Sequence, residues 1–226
     1  MTRTVVVKVG GNATLACVPI VAAMARETRV CVVHGGGAQI SALARERGIE
    51  PRFVGGRRIT DDAMLACVRE AFASVSQALC GALEETGLRT LALGEGTVDV
   101  RRVPELGLVG EPVAARTDAI MAAFHVGRIP VVAPLGRDTG GELLNVNADD
   151  SAAAIATALA ADELVFLSDV PGVLDAHGAV LPQISASRPP ASAAGGMLPK
   201  LEACTAALLG GVARVRIGVA GTVVTP

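Results

Sequence analysis

Two lysines stand out among the residues that could do chemistry. The chain of 226 residues has 20 lysines and arginines together, and all of them except Lys8 and Lys200 are arginines. Lys8 lies near the end of a β-branched run, just before Gly10 and Gly11, and Lys200 follows Pro199, which suits the first position of a helix. A lysine in the first helical turn is repelled by the positive end of the helix dipole. This repulsion destabilises the helix unless an anion is bound there. We therefore interpret both lysines as anion-binding groups. The alternative is that codon bias favours arginine throughout the chain and that the two lysines remain by chance as solvated surface residues.

Two predicted strands end in glycine-rich turns. Gly10 and Gly11 follow the first strand, and three glycines at 35–37 follow His34 at the end of the second. At the carboxyl edge of a parallel sheet, glycines let backbone N–H groups approach phosphate oxygens. Neither turn fits GxxxxGK[ST] or GxGxxG with an acid about twenty residues on, which disfavours a P-loop NTPase and a Rossmann dehydrogenase. The turns indicate another kind of phosphate cradle.

Two later turns are polar, and one of them carries more polar side chains than a turn requires. The segment 145–150 reads Asn-Val-Asn-Ala-Asp-Asp and precedes a predicted helix, which either Asn147 or Asp149 is expected to cap. The polar residues beyond that one cap indicate a site. The segment 168–175, Ser-Asp-Val-Pro-Gly-Val-Leu-Asp, follows a strand and is by itself a routine turn.

Short β-branched runs alternate with longer Ala- and Leu-rich segments of helical period. This pattern is typical of βαβ units and predicts an α/β fold with a mostly parallel sheet covered by helices. The segment 94–109 resembles a hairpin, and 185–196, rich in Ser, Pro, Ala and Gly, is predicted to be a loop. Predicted strands cover 4–9, 30–34, 90–93, 129–133, 164–167 and 214–219.

The clearest helix is predicted to begin after Thr60, whose hydroxyl can cap it, with Asp61 and Asp62 in its first turn. An apolar stripe then runs at three- and four-residue steps through Leu65, Val68, Phe72, Val75, Leu79 and Leu83. Such a stripe is typical of a core helix, and it could equally form a dimer seam.

Composition narrows the class of protein. The length suits one continuous domain, and a formal charge of −2 without a basic stretch gives no footprint for nucleic acid or a membrane surface. No apolar run approaches the ~18 residues of a membrane span, and no leader is evident, so a soluble, cytoplasmic protein is expected. The five cysteines lack paired spacing and are interpreted as small buried residues in a reducing compartment, with no zinc or disulfide.

Seven motifs in chain order resemble those of the amino acid kinase family, and in particular its N-acetylglutamate kinase branch. The resemblance is collinear over nearly the whole chain, and the Gly-Arg-Arg-Ile-Thr and Leu-Asn-Val-Asn-Ala-Asp segments carry the assignment to that branch. The motifs are Lys8-Val-Gly10-Gly11, His34-Gly35-Gly36-Gly37, Gly56-Arg57-Arg58-Ile59-Thr60-Asp61, Leu108-Val-Gly110-Glu111, Leu144-Asn145-Val-Asn147-Ala-Asp149, Ser168-Asp169-Val-Pro-Gly172-Val-Leu and Gly195-Gly196-Met-Leu-Pro-Lys200.

The resemblance implies a three-layer αβα sandwich forming a single domain over 1–226. About 1–140 would bind the acyl amino acid, and about 141–226 would bind Mg-ATP. The implied reaction is ATP-dependent phosphorylation of the side-chain carboxylate of N-acetyl-L-glutamate, in arginine biosynthesis. Mg²⁺ would be held chiefly by ATP phosphates and water, so no protein ligand is named.

The resemblance also implies roles for single residues. Lys8 would stabilise the transferring phosphoryl group, with amides of Gly11, Gly35 and Gly36. Lys200 would neutralise the leaving nucleotide, and Asp149 would hold both lysines. The predicted substrate-binding residues are Gly35, Gly36, Arg58 and Asn145, of which Arg58 and Asn145 would grip the α-carboxylate. The predicted nucleotide-binding residues are Gly10, Gly11, Ser168, Asp169 and Gly172.

These roles agree with the chemistry of the implied reaction. A carboxylate nucleophile is already ionised at neutral pH, so the transfer needs cations and N–H donors rather than a general base. His125 and His177 lie outside the motifs, and His34 is interpreted as structural.

Two rival functions and one assembly remain as hypotheses. The first rival is a kinase for aminoadipate or glutamate attached to an acidic carrier protein, although only Arg52, Arg57 and Arg58 cluster before the predicted helix. The second is a non-catalytic ligand-binding domain of the same fold, because the segment after 216–218 is short beside the family pattern. The short segment before Lys8 and the stripe predict a homodimer that arginine does not inhibit.

Overall fold

The computed structural model describes residues 2–10, 15–167, 171–175, 177–188, 190, 197–218 and 221–226. The helices are α1 Val18–Ala25, α2 Gly37–Glu46, α3 Asp62–Glu84, α4 Asp118–His125, α5 Ala148–Ala158 and α6 Met197–Leu209. The strands are β1 Thr4–Val9, β2 Arg29–His34, β3 Phe53–Val54, β4 Arg57–Arg58, β5 Thr90–Leu93, β6 Val98–Arg102, β7 Val109–Ala115, β8 Ile129–Val132, β9 Leu135–Arg137, β10 Leu143–Val146, β11 Glu163–Leu167, β12 Gln183–Ser185, β13 Val215–Ile217 and β14 Thr222–Thr225.

An eight-stranded sheet forms the middle layer, in the order β12-β14-β13-β11-β1-β2-β8-β5. Six of these strands run parallel, and β12 and β14 run against them. The sheet is therefore mostly parallel, as the sequence predicted. Each of the six predicted strands overlaps an observed one, although the last is shorter than 214–219, and Val219 lies outside the described residues.

Helices cover both faces of the sheet because alternate side chains of its central strands are apolar on both sides. On β1, Val6 packs in one core with α5 and α6, whereas Val5 and Val7 pack in the other core with α1 and α3. Lys8 lies on the same side of β1 as Val6. This alternation confirms the three-layer αβα sandwich and directs Lys8 toward α5.

A four-stranded closed barrel, in the order β10-β7-β6-β9, accompanies the main sheet. The predicted hairpin over 94–109 is correct only in part. Strand β6 does pair antiparallel with β7, but β7 extends to Ala115, and a 3-10 turn at Pro104–Leu106 separates the two strands. The barrel escaped prediction because β9 and β10 are too short to show a clear period.

Helix α3 differs from its prediction in two respects. Its cap is Asp61, whose carboxylate accepts the Met64 amide at 2.8 Å, so the prediction of a Thr60 cap is wrong. The hydroxyl of Thr60 donates instead to the carbonyl of Arg58. The predicted stripe is buried inside the chain except for half-buried Leu65, so it forms core and does not serve as a dimer seam. The helix has the length and apolarity of a membrane span, but this burial is typical of a core helix.

The predicted loop over 185–196 is described only in part. Ser185 ends β12, a turn follows it, and 189 and 191–196 lie outside the described residues.

Candidate active site

A carboxylate between two ammonium groups lies at the centre of the site. Asp149 Oδ1 lies 2.8 Å from Lys8 Nζ, and Asp149 Oδ2 accepts a hydrogen bond from Lys200 Nζ at 2.9 Å. Each of the three side chains is about one-tenth exposed. The lysines, 192 positions apart along the chain, therefore meet at one aspartate.

The charge balance around Asp149 explains how the group stays ionised. Burial alone would raise the pKa of Asp149, but the two ammonium groups outweigh it and hold the pKa below its ordinary value. The described triad thus has two positive charges and one negative charge. A buried site with a net positive charge is suited to an anion.

Local structure places each member of this triad. Asn147 caps α5, and its side-chain oxygen accepts the amides of Asp149 at 2.8 Å and Asp150 at 3.3 Å. Asp149 therefore does not cap, and its carboxylate is turned toward the lysines. Lys200 lies in the first turn of α6, with its ammonium group 5.0 Å from the ring centre of Phe166.

A cleft of about 210 Å³ opens beside the triad at the carboxyl edge of the sheet. Its glycines include Gly10 and Gly35–Gly37, and Lys8 and Asp149 also line it. The apolar part of its wall is formed by Ile40, Phe53, Phe72, Val109, Pro134 and Val146. A cleft lined by both charged and apolar side chains fits a small ligand that has both characters.

The glycine turns leave room for neighbouring groups, whereas some of their described backbone N–H groups are already hydrogen-bonded. The Gly10 amide donates to the Leu167 carbonyl and the Gly35 amide to the Val9 carbonyl, so the predicted use of the Gly35 amide for the phosphoryl group is not supported. Among the described residues, no partner is found for the amide of Gly36 at the start of α2. A Cβ at position 10 would lie 2.5 Å from Lys8 Nζ, so only glycine leaves that ammonium its place.

Arg58 lines the cleft, and one of its donors has no partner among the described residues. Its Nη2 donates to the Gly37 carbonyl at 3.0 Å and to Ser41 Oγ at 2.9 Å, and its guanidinium lies 4.7 Å from the ring centre of Phe53. Its Nη1 is buried without a partner among the described residues. Burial, followed by the positive charge of Arg45, lowers the pKa of Arg58. An anionic ligand would satisfy this donor and offset the cost of burying the charge.

Asn145 lies in the same cleft. Its Nδ2 donates to the Thr60 hydroxyl at 3.1 Å, and that hydroxyl donates to the Arg58 carbonyl. The chain of hydrogen bonds fixes Asn145 beside the strand that carries Arg58. Both predicted carboxylate-binding residues are therefore brought together in one wall.

His34 is fully buried behind the cleft. Its ring nitrogens lie 2.9 Å from the Gly35 carbonyl and 2.7 Å from Ser76 Oγ, and its ring meets Phe72 edge-on. Burial lowers the pKa of His34 to about 4, against a weaker raising effect of the Gly35 carbonyl. The ring is neutral at physiological pH and joins β2 to α3, in agreement with its structural interpretation.

The predicted nucleotide-binding residues are described only in part. Gly11, Ser168 and Asp169 lie outside the described residues. Gly172 is described but does not line the cleft; it packs so closely against Thr222 that a Cβ would lie 2.9 Å from the Thr222 hydroxyl. Gly172 stays a prediction as a nucleotide ligand.

An ion-pair cluster at the cleft escaped the sequence analysis. Arg57 contacts Glu111 through Nη1 and Asp150 through Nη2, the latter at 3.3 Å, and Glu111 also accepts from Arg101 at 3.1 Å. The available signal was that Arg57 and Asp150 each adjoin a predicted site residue in sequence. The sequence analysis did not place Arg57 and Asp150 in the site because the resemblance assigns no function to these two positions.

The paired cations at the carboxyl edge of this αβα sandwich are suited to a phosphate-bearing substrate. Residues 3–218 match the amino acid kinase family, and the chain belongs to that family. The acetylglutamate kinase of Acidobacterium capsulatum is 38% identical over 231 residues, covering 94% of this chain and 89% of the relative. That of Koribacter versatilis is 40% identical over 210 residues, covering 87% and 80%.

Solved structures show the same fold. The smu.665 protein of Streptococcus mutans UA159 superposes with a TM-score of 0.90 at 30% identity, over 100% of this chain and 99% of that one. The N-acetylglutamate synthase of Neisseria gonorrhoeae, complexed with coenzyme A and N-acetyl-glutamate, gives a TM-score of 0.84 at 21% identity, over 99% of this chain and 59% of that one. The second similarity concerns the fold alone.

Proposed function

We propose that the protein transfers the γ-phosphoryl group of ATP to the side-chain carboxylate of N-acetyl-L-glutamate, a step of arginine biosynthesis. The observation that carries this proposal is the Lys8–Asp149–Lys200 triad beside a cleft that Arg58 also lines. The 38% and 40% identity to acetylglutamate kinases supports the choice of substrate. Because both reactants are anions, cations must bring them together and stabilise the transferring group.

The two lysines act at the two ends of the transfer. Lys8, on the sheet, stabilises the transferring phosphoryl group, and Lys200, on α6, neutralises the leaving nucleotide. Asp149 keeps both ammonium groups at fixed positions, and its negative charge lowers the repulsion between them. The carboxylate nucleophile arrives ionised, so no side chain has to remove a proton.

Arg58 and Asn145 bind the α-carboxylate of the acyl amino acid. The buried Nη1 of Arg58 supplies a charge-assisted hydrogen bond, and Asn145 supplies a neutral one. The apolar wall, with Phe72 and Val109, packs against the acyl group and the methylene groups of the substrate.

ATP binds along the carboxyl edge, with the glycine turns close to its phosphates and with Gly10, Gly11, Ser168, Asp169 and Gly172 on the nucleotide side. Within the described parts of the chain, no group of three or more Asp, Glu, His or Cys side chains is placed to hold a metal ion. Mg²⁺ is carried by ATP phosphates and water, because it keeps several of its waters and needs few protein carboxylates. Bound there, Mg²⁺ would neutralise phosphate charge.

The larger arrangement is also a proposal. Residues 1–226 form one domain, in which about 1–140 bind the acyl amino acid and about 141–226 bind the nucleotide. The protein acts in the cytoplasm as a homodimer insensitive to arginine. Because the apolar stripe of α3 is buried inside the chain, it does not support the prediction of a dimer. Light scattering in solution measures the mass of the assembly.

Trapping of the acyl phosphate with hydroxylamine tests the reaction. ATP and Mg²⁺ are supplied with N-acetylglutamate, with free glutamate or with carrier-linked aminoadipate, and hydroxamate is measured. Hydroxamate should form with N-acetylglutamate and remain at background with the other two. Faster formation with the carrier-linked acceptor would replace the proposed substrate, and no formation with any acceptor would favour a non-catalytic domain.

A further inference from the structure

Arg57 joins three elements that line the cleft. It lies on β4 beside Arg58, contacts Glu111 on β7, and reaches Asp150 in the first turn of α5 at 3.3 Å. Asp150 directly follows Asp149, the aspartate between the two lysines. Arg57 therefore links the strand of the substrate-binding arginine to the turn that carries the lysine-holding carboxylate.

The same hairpin also approaches α6. Gly56, at φ +78°, lies so near the first turn of α6 that a Cβ there would be 3.5 Å from Pro199 Cγ. Pro199 immediately precedes Lys200. The β3–β4 hairpin thus adjoins both helices that supply the triad, α5 through Arg57 and α6 through Gly56.

The charge at position 150 favours a role beyond packing. Burial raises the pKa of Asp150 to about 6; Arg57 opposes this effect, whereas Asp149, Glu111 and Glu202 add to it. Burial thus opposes ionisation at this position. Arg57 is the one cation that lowers the pKa of Asp150 among the described residues. A perturbed carboxyl beside a cleft is a candidate for a functional role, and the contacts of Arg57 with Glu111 and Asp150 indicate where that role acts.

We propose that Arg57 is a positioning residue that couples binding of the acyl amino acid to binding of the nucleotide, an inference that rests on the proposed function. A carboxylate on Arg58 fixes the hairpin. Through Arg57 the fixed hairpin then holds Asp150, and with it the turn of Asp149, while Gly56 fixes the start of α6 beside Lys200. Each ligand therefore binds more tightly when the other is present, and the gain is reciprocal.

Calorimetry measures this coupling directly. The dissociation constant of Mg-bound adenylyl imidodiphosphate, a non-hydrolysable ATP analogue, is measured with and without saturating N-acetylglutamate. The ratio of the two constants should be at least about fivefold in the wild-type protein, within the usual range for coupled sites. Arg57→Met should reduce the ratio to less than about twofold. Asp150→Asn should reduce it in the same direction, and the double variant should lose no more than Arg57→Met alone.

Arg101→Met is the matched control, because it removes another arginine from the same Glu111 carboxylate without touching the hairpin. It should leave the ratio at the wild-type value, whereas Arg57→Lys, which keeps the charge but not the fork, should give an intermediate ratio. An unchanged ratio in Arg57→Met, or an equal loss in Arg101→Met, would overturn the inference. If the wild-type protein bound no N-acetylglutamate, the proposed function would fail and the inference with it; binding without coupling would overturn the inference alone.

Discussion

At the residue scale, the unpaired Nη1 of Arg58 is the sharpest sign of substrate recognition. Arg58→Lys replaces the planar guanidinium by an ammonium group that cannot keep the contacts of Nη2 with Gly37 and Ser41 and also supply the Nη1 donor to the substrate. The KM for N-acetylglutamate should rise by about tenfold or more, since a charge-assisted hydrogen bond is worth ~1.5–3 kcal/mol, and the KM for ATP should change little. Steady-state kinetics with each substrate varied in turn measures both. A larger change in the KM for ATP would assign Arg58 to the nucleotide.

His34 gives a prediction about pH. Its pKa of about 4 keeps it neutral, and no general base is needed, so kcat should stay nearly constant between about pH 6.5 and 8.5. Stability should behave differently. The unfolded histidine binds a proton near pH 6.5 and the folded one only near pH 4, so this residue makes the fold less stable as the pH falls between those values. A kcat profile with a step near pH 7 would contradict the structural role of His34.

At the element scale, the cap of α5 aims Asp149 at the lysines. Asn147→Ala removes an oxygen that accepts two amides and should cost about 0.5–2 kcal/mol of stability, with a lower melting temperature. In assays at temperatures well below the melting temperature, the variant should also have a lower kcat, because the turn that holds Asp149 loosens.

Asp138→Ala is the matched control for this prediction. Asp138 Oδ1 likewise accepts two amides, those of Gly140 and Glu142, in an exposed turn between β9 and β10. The control should lose stability and keep its kcat. Equal effects of the two substitutions on kcat would mean that the α5 cap has no special relation to the site.

The sequence predicts helices and strands best where a hydrophobic pattern continues over many residues or where the flanking turns are distinctive. The stripe of α3 and the β-branched runs of β1 and β2 were sufficient for correct placement. The cap of α3 was misplaced by one residue because Thr60 and Asp61 are both good capping residues, and the hydroxyl of Thr60 is engaged by a local bond to Arg58 and a tertiary one to Asn145. The barrel depends on pairings between short, distant strands, which no local pattern records.

At the scale of the whole molecule, the meeting of Lys8 and Lys200 could be anticipated from their rarity and from the family resemblance. The shared contact with Asp149 needed the fold, because it depends on strand register, the side of β1 that Lys8 occupies and the packing of α5 against α6. The Arg57 cluster depends on the packing of α5 against β7, so neighbouring motif residues alone did not reveal it.

The assembly can be tested at the same scale. A homodimer should give a mass of about 46 kDa by light scattering, twice the 22.8 kDa of one chain, and millimolar arginine should leave its activity unchanged. A larger assembly, or inhibition by arginine, would contradict this prediction.

The most direct test of the central claim is the steady-state kcat of Lys8→Arg and Lys200→Arg. Each substitution keeps the positive charge but replaces a compact ammonium group by a bulkier planar one at a buried aspartate. If both lysines act on charge that develops during the transfer, each variant should lose about 10²-fold or more in kcat with much smaller changes in KM. Asp149→Asn should lower kcat as well. A kcat near the wild-type value in either arginine variant would contradict the account of two ammonium groups as the poles of the phosphoryl transfer.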